Sequence, residues 1–177
     1  MSRLSTIDPA TATGKQKELL DAVKAKLGVV PNMMRTMAHA PAVLEAYLQF
    51  SGALAKGSFG PKLREAIALA IGQANGCAYC VSAHTLLGKK AGLSDDEVSA
   101  ARGGESPDPR TAAVLRLAMA INNNKGFAKD TDLAAARQAG LSEADIVETI
   151  GAVALNVFTN YFNHVADPQI DFPVVKL

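Results

Sequence analysis

Tryptophan is missing from this chain, and aromatic residues make up only 5% of it. That leaves little material for a base-stacking surface. Net charge is almost absent too: the formal value is +1 over 177 residues. Bulk attraction to nucleic acid or to an anionic membrane is therefore not expected. No apolar run reaches the roughly 18 residues that a membrane-crossing helix needs. The opening Met1-Ser2-Arg3-Leu4-Ser5 lacks the apolar stretch of a secretory signal, which predicts a cytoplasmic protein. Convincing two-residue alternation of apolar and polar positions occurs nowhere, so the expected fold is all-α. What the chain does have is 49% apolar content, ample for a core and consistent with one domain.

Cysteine is also scarce, and the two that exist are close together. Cys77 and Cys80 form a Cys-x-x-Cys pair, His84 follows four residues later, and Glu65 precedes Cys77 by twelve. In a reducing compartment such a pair is more often catalytic, redox-sensing or metal-binding than structural.

Local signals place these residues on two helices. Pro61 suits a first helical turn, and Leu63, Ile67, Leu69, Ala70 and Ile71 recur at helical spacing. Asn75-Gly76 is a break at which both residues tolerate the left-handed conformation. A second helix is expected from the cysteines through Leu86 and Leu87 to Gly92. At about 100° per residue, Cys77, Cys80 and His84 fall within an arc of roughly 60°. The first turn of a helix carries unpaired N–H groups and partial positive charge, which favour thiolate, the nucleophilic form. His84, about one turn beyond Cys80, can take a proton directly or through water. Glu65 can fold back as the far end of a relay. The same four residues also form a donor set for Zn²⁺, provided that Glu65 swings in to close a tetrahedron. A thiol redox sensor without turnover is a third reading.

Glu65, eleven residues, Cys77-Ala78-Tyr79-Cys80, three residues and His84 resemble the signature of the AhpD-like alkylhydroperoxidases, within the carboxymuconolactone decarboxylase superfamily. The resemblance is strong over residues 60 to 92 and looser over about 40 to 165. It implies a compact multi-helix domain with a helix–turn–helix active-site unit, and a thiol-dependent peroxidase that needs no cofactor and no metal. By resemblance Cys80 attacks the peroxide, Cys77 resolves, and His84 and Glu65 relay protons. The implied partners are a hydroperoxide substrate, an external dithiol or protein reductant, and further copies of the chain in a trimer or hexamer. Some relatives carry a histidine where this chain has Tyr79. The decarboxylase branch lacks the cysteine pair, which argues against that chemistry here.

The remaining chain reads as one AhpD-like domain over 1–177: an N-terminal helical segment to about residue 56, a core over about 57–165 and an extended tail over 166–177. Helices are expected over Ala12 to Leu27, from Pro31 through Met33, Met34 and Met37, and from Pro41 to Lys56. The methionines are read as core or interface packing rather than a channel lining. Ser94-x-x-Glu97 is a capping box, and Arg102 to Pro109 is a loop. Helices follow over Thr111 to Ile121, from a cap at Asp130 or Thr131 to Gly140, and from Ser142 through Tyr161. The tail from Asp171 to Val175 is expected to be extended and packed on a neighbouring subunit. Ala91-Gly92-Leu93-Ser94 echoes Ala139-Gly140-Leu141-Ser142, through either convergent turn chemistry or a structural repeat. Asn156, Asn160, Asn163 and His164 share a stripe of the last helix. It is read as buried amide bonding at a helix or subunit contact, with a place beside the cysteines or Glu65 as the alternative. His39 is expected at a surface or helix end.

Overall fold

Residues 2–177 are described by a computed structural model. They form nine α-helices and no strand. The order is α1 (Gly14–Leu27), α2 (Asn32–Met37), α3 (Pro41–Leu54), α4 (Pro61–Ala74), α5 (Ala78–Lys90), α6 (Asp95–Arg102), α7 (Pro109–Asn123), α8 (Asp130–Gln138) and α9 (Glu143–Ala166).

Helix α4 is the axis of the molecule. Pro61 sits in its first turn, and from Ala66 to Gly72 every residue is buried. A helix that is apolar all round must be covered on all sides, and α4 packs against α5, α6, α7 and α9. Leu69, Ile71, Val114 and Leu115 lie at the centre of this body with no exposure. A second apolar cluster joins α1, α2 and α3 through Leu20, Met37 and Leu44, and it contains Cys77, Tyr79 and Cys80. The cysteine pair therefore sits at the seam between two clusters.

Most helix ends follow their sequence signals, with exceptions: α7 begins at Pro109, in the stretch read as a loop, rather than at Thr111. The first helix begins at Gly14 rather than Ala12. At the break after α4 only Gly76 is left-handed (φ 69°), and Asn75 stays in the right-handed region. The N-cap position of α8 is occupied by Lys129, not by Asp130 or Thr131. The Asp132 carboxylate accepts from the Lys129 N–H (2.9 Å) and ties that end down, so the anchoring side chain lies inside the first turn. The capping boxes at Ser94/Glu97 and Ser142/Asp145 are both formed.

The internal echo extends well beyond one turn. Gly92 and Gly140 are both left-handed (φ 97° and 87°). Leu93 and Leu141, both buried, donate their N–H groups back to Gly88 and Ala136. Pro61 and Pro109 start helices α4 and α7 at the same offset from each other as Gly92 from Gly140. The buried residues Ile67, Leu69 and Ala70 meet Leu115, Leu117 and Ala118 at that same offset. This agreement of helix order, turns and core positions is that of a structural repeat, α4–α5–α6 against α7–α8–α9. Only the first copy carries the cysteines.

The C-terminal tail is extended and makes contacts on its own chain. The Asp171 carboxylate accepts from Tyr79 Oη (2.7 Å) and from the Asn32 N–H (2.8 Å). Phe172 meets the Tyr79 ring edge to face. Ser82 Oγ accepts from the Val175 N–H, and Arg102 donates to the Lys176 carbonyl.

Candidate active site

Cys77 is the N-cap of α5 rather than part of it, and its sulfur accepts the Cys80 N–H at 3.3 Å. Cys77 and Cys80 are joined by a disulfide. Gly72 of α4 faces α5, and a Cβ there would stand in van der Waals contact, 3.4 Å from the Cys80 Cβ. The Gly72 carbonyl also accepts the Cys77 N–H (2.8 Å). Both sulfur-bearing residues are almost fully buried.

Further along the α4–α5 hairpin, Glu65 and His84 come together, with Oε2 and Nδ1 2.7 Å apart in a partly buried pair. An ionised carboxylate can only accept, so its contact calls for the hydrogen on Nδ1, and a neutral imidazole then has Nε2 as its acceptor nitrogen. This is the tertiary contact that the spacing of Glu65 and His84 required.

Cys80, His84 and Glu65 open on one cavity of about 370 Å³ between the N-terminal helices and the α4–α5–α9 body. That volume is within the usual range for a small-molecule site, roughly 300–1,000 Å³. Its wall is mostly apolar and includes Met33, Met34, Leu54, Phe59, Leu86 and Phe172. Two of the three clustered methionines thus line the cavity, while Met37 is core. Tyr47 shares this wall, and burial together with the Glu65 charge pushes its hydroxyl up to about 12, so it stays neutral. Cys77, expected on the same helical face as Cys80 and His84, lies behind Cys80 at the cap instead.

Tyr79, between the cysteines, also borders the cavity, but its hydroxyl is engaged in structural bonds. Its hydroxyl accepts from the Met33 N–H (3.1 Å) and donates to Asp171, locking α2 and the tail onto α5. Burial pushes its ionisation well above the ordinary tyrosine range.

Asn160 and Asn163 of the α9 stripe are buried and also lie beside the cysteines, so buried amide bonding at a helix contact and a place beside the sulfurs both hold. Asn160 Nδ2 donates to Cys80 Sγ at 3.0 Å. Asn163 Nδ2 lies 3.3 Å from Cys80 Sγ and 3.9 Å from Cys77 Sγ. Neither amide holds Glu65, whose carboxylate meets His84. Asn156 bonds its own helix at the Ala152 carbonyl, and His164 is exposed, its carbonyl accepting from Arg3. The polar stripe at helical spacing was the signal for Asn160 and Asn163; their sulfur partners lie eighty or more residues away. His39 is exposed and its ring contacts Ser5. Among the described residues no group of three or more His, Cys, Asp or Glu is placed to hold a metal ion. Nor is any helix there long and apolar enough to cross a membrane.

Residues 41–116, which include Glu65, both cysteines and His84, match the model of the carboxymuconolactone decarboxylase family. No curated protein matches the chain. Among solved structures, the AhpD core of an uncharacterized peroxidase-related protein from Ralstonia eutropha JMP134 is similar with a TM-score of 0.82 and 26% identity, covering 96% of this chain and 92% of that one. The debrominase Bmp8, in complex with 2,3,4-tribromopyrrole, aligns with a TM-score of 0.81 at 21% identity over 97% of this chain and 92% of its own. An uncharacterized peroxidase-related protein from Silicibacter sp. TM1040 gives 0.79 at 19% identity, over 96% and 94%. The last two likenesses concern the fold alone. The family match over residues 41–116 and the AhpD-type fold make this chain similar to AhpD-like proteins of the carboxymuconolactone decarboxylase family.

Proposed function

We propose that this chain is a dithiol peroxidase that reduces small apolar hydroperoxides at Cys80. The observation that carries the reading is the placement of Cys80. It is the cysteine that reaches the cavity, it is bonded to Cys77 behind it, and the His84–Glu65 pair opens on the same space. In the reduced form His84 Nε2 takes the Cys80 proton, and the Glu65 carboxylate stabilises the resulting imidazolium. The thiolate attacks one oxygen of ROOH, forming an S–O bond and breaking O–O. The leaving alkoxide takes the proton back from His84 and departs as ROH. Sulfur is oxidised to the sulfenic acid as the peroxide is reduced. The Cys77 thiol then displaces hydroxide from that sulfur, which leaves as water with the thiol proton, and the disulfide forms. An external dithiol supplies the two electrons and two protons that reopen it. The apolar wall favours an alkyl group over a charged one near the sulfur.

The test is peroxide consumption with organic hydroperoxides across several dithiol reductants. Wild type should turn over, Cys80→Ser should consume none, and Cys77→Ser should consume at most one equivalent. A wild type that forms no disulfide after peroxide treatment overturns the reading.

A further inference from the structure

Three asparagines, from three different parts of the fold, form a hydrogen-bonded chain whose last member, Asn160, reaches one sulfur. Asn122 of α7 exchanges two hydrogen bonds with Asn75 at the turn after α4 (2.9 and 3.0 Å). Asn75 Nδ2 also donates to Asn160 Oδ1 (2.9 Å). With its oxygen held there, Asn160 has only its Nδ2 left to offer, and this points at Cys80 Sγ. Asn160 itself has no exposure.

Asn163 adds a second amide to the same sulfur, and its other end is telling. Its Oδ1 is buried and takes no hydrogen bond from any described residue. A buried orphan carbonyl is costly, and a purely structural amide would have both ends satisfied. Turning the amide over would only place oxygen against sulfur, acceptor against acceptor. Asn163 Nδ2 also lies 3.5 Å from Met33 Sδ, but its shortest contact is with Cys80 Sγ, and the orientation of the amide suits that sulfur.

We infer that Asn160 and Asn163 form a two-amide donor cradle for the negative charge on Cys80, and that Asn75 and Asn122 are positioning residues that fix the direction of the Asn160 donor. This deepens the dithiol reading and rests on Cys80 alternating between disulfide and thiolate. In the disulfide the sulfur is a weak acceptor. Once it becomes thiolate, both contacts turn into charge-assisted bonds, about twice as strong as neutral ones. The cradle thus biases the pair toward ionisation at the cysteine that faces the cavity. Cys77 receives only a backbone N–H and the long Asn163 contact.

The other titratable groups around this sulfur are Glu65 on α4, His84 on α5, Tyr47 on α3 and Tyr79, bonded to Asp171. Lys26, Arg64, Lys90 and Glu148 lie further along the same wall. Both tyrosines are held neutral, so the titration of Cys80 is read against Glu65 and His84 and repeated with His84→Ala.

The experiment follows the ultraviolet absorbance of the Cys80 thiolate against pH in Cys77→Ser protein, without peroxide. Asn160→Leu and Asn163→Leu should each raise the Cys80 pKa by about one unit, tenfold in the ionisation equilibrium. Asn160→Asp, which keeps the shape but replaces the donor by a carboxylate, should raise it further. Asn75→Ala should give a smaller rise, because Asn160 remains but is no longer aimed. In wild type, the side-chain amide resonances of Asn160 and Asn163 should move when the disulfide is reduced, while that of Asn156, bonded to its own helix, stays. Unchanged thiolate titration in folded Asn160→Leu and Asn163→Leu overturns the cradle. So does a wild type whose Asn160 and Asn163 resonances ignore reduction, which decides the matter even if a variant fails to fold. A protein that shows these shifts yet turns over no peroxide keeps the cradle and loses the peroxidase.

Discussion

Glu65 and His84 differ in what their removal should do. In the proposed mechanism, replacing His84 by alanine deletes the base, and peroxide consumption should fall by about 100-fold or more. Glu65→Gln keeps a hydrogen-bond acceptor at the 2.7 Å contact but removes the charge that steadies the imidazolium. Its loss should be smaller, and rapid-mixing measurement of Cys80 oxidation separates the two. Both residues were legible because the helix repeat and the Gly76 turn limit where they can go. The asparagines were legible only as a stripe. Asn160 donates to a sulfur 80 residues away and Asn163 to one 83 away, and no local period carries information across such a span. The amide chain through Asn75 and Asn122 left no sequence trace beyond its residue types.

Among the elements, α9 depends on one carboxylate. Asp145 accepts from the Ser142 N–H and Oγ and from Arg110. The Ser142 backbone bond, followed by the hydroxyl and the nearby guanidinium, holds its ionisation below the ordinary aspartate range despite its burial. A carboxyl group depressed by folding stabilises the native state above its unfolded pKa and loses that contribution as pH falls through the folded value. Asp145→Asn should therefore lower the thermal midpoint at neutral pH, by a cap's worth of about 1 kcal/mol. The deficit should shrink to nothing under strongly acidic conditions, which calorimetry across pH would show. Helix ends of this kind were readable in advance, at Ser94, Ser142 and Pro61, because each cap is settled within four residues, whereas Pro109 was read as the end of a loop although it opens α7. Lys129 was not, since a lysine at that position carries no capping chemistry of its own. The tail was read as extended, but its docking on Tyr79 depends on a hydroxyl 92 residues from Asp171. Tyr79→Phe leaves the Met33 N–H and the Asp171 carboxylate without that partner. It should cost about 1–3 kcal/mol, measured by denaturant unfolding.

For the molecule as a whole, one surface stands out. Val147, Ile150, Phe158, Tyr161 and Val165 are all exposed on α9, and helical geometry gathers them within an arc of about 80°. Val43 and Phe50 are exposed on the adjoining α3. We propose that this apolar strip is covered by a second copy of the chain in a trimer or hexamer. Sedimentation should give a multiple of the chain mass, and Tyr161→Lys with Ile150→Lys should shift it toward one chain. The core is far less forgiving: Leu115→Ala, at a position with no exposure, should cost about 2–5 kcal/mol.

The disulfide lies where the N-terminal helices meet the α4–α9 body, with the cavity on one side of it. A joint that is partly hollow has the fewest contacts to lose when the two halves drift apart. Partial opening along it would uncover Cys77 and Cys80 while α4 and α7 stay folded. Trapping of the reduced thiols by an alkylating agent should consequently begin at temperatures where the helices still give their full circular-dichroism signal, making the reactive sulfurs the first sentinels of loosening.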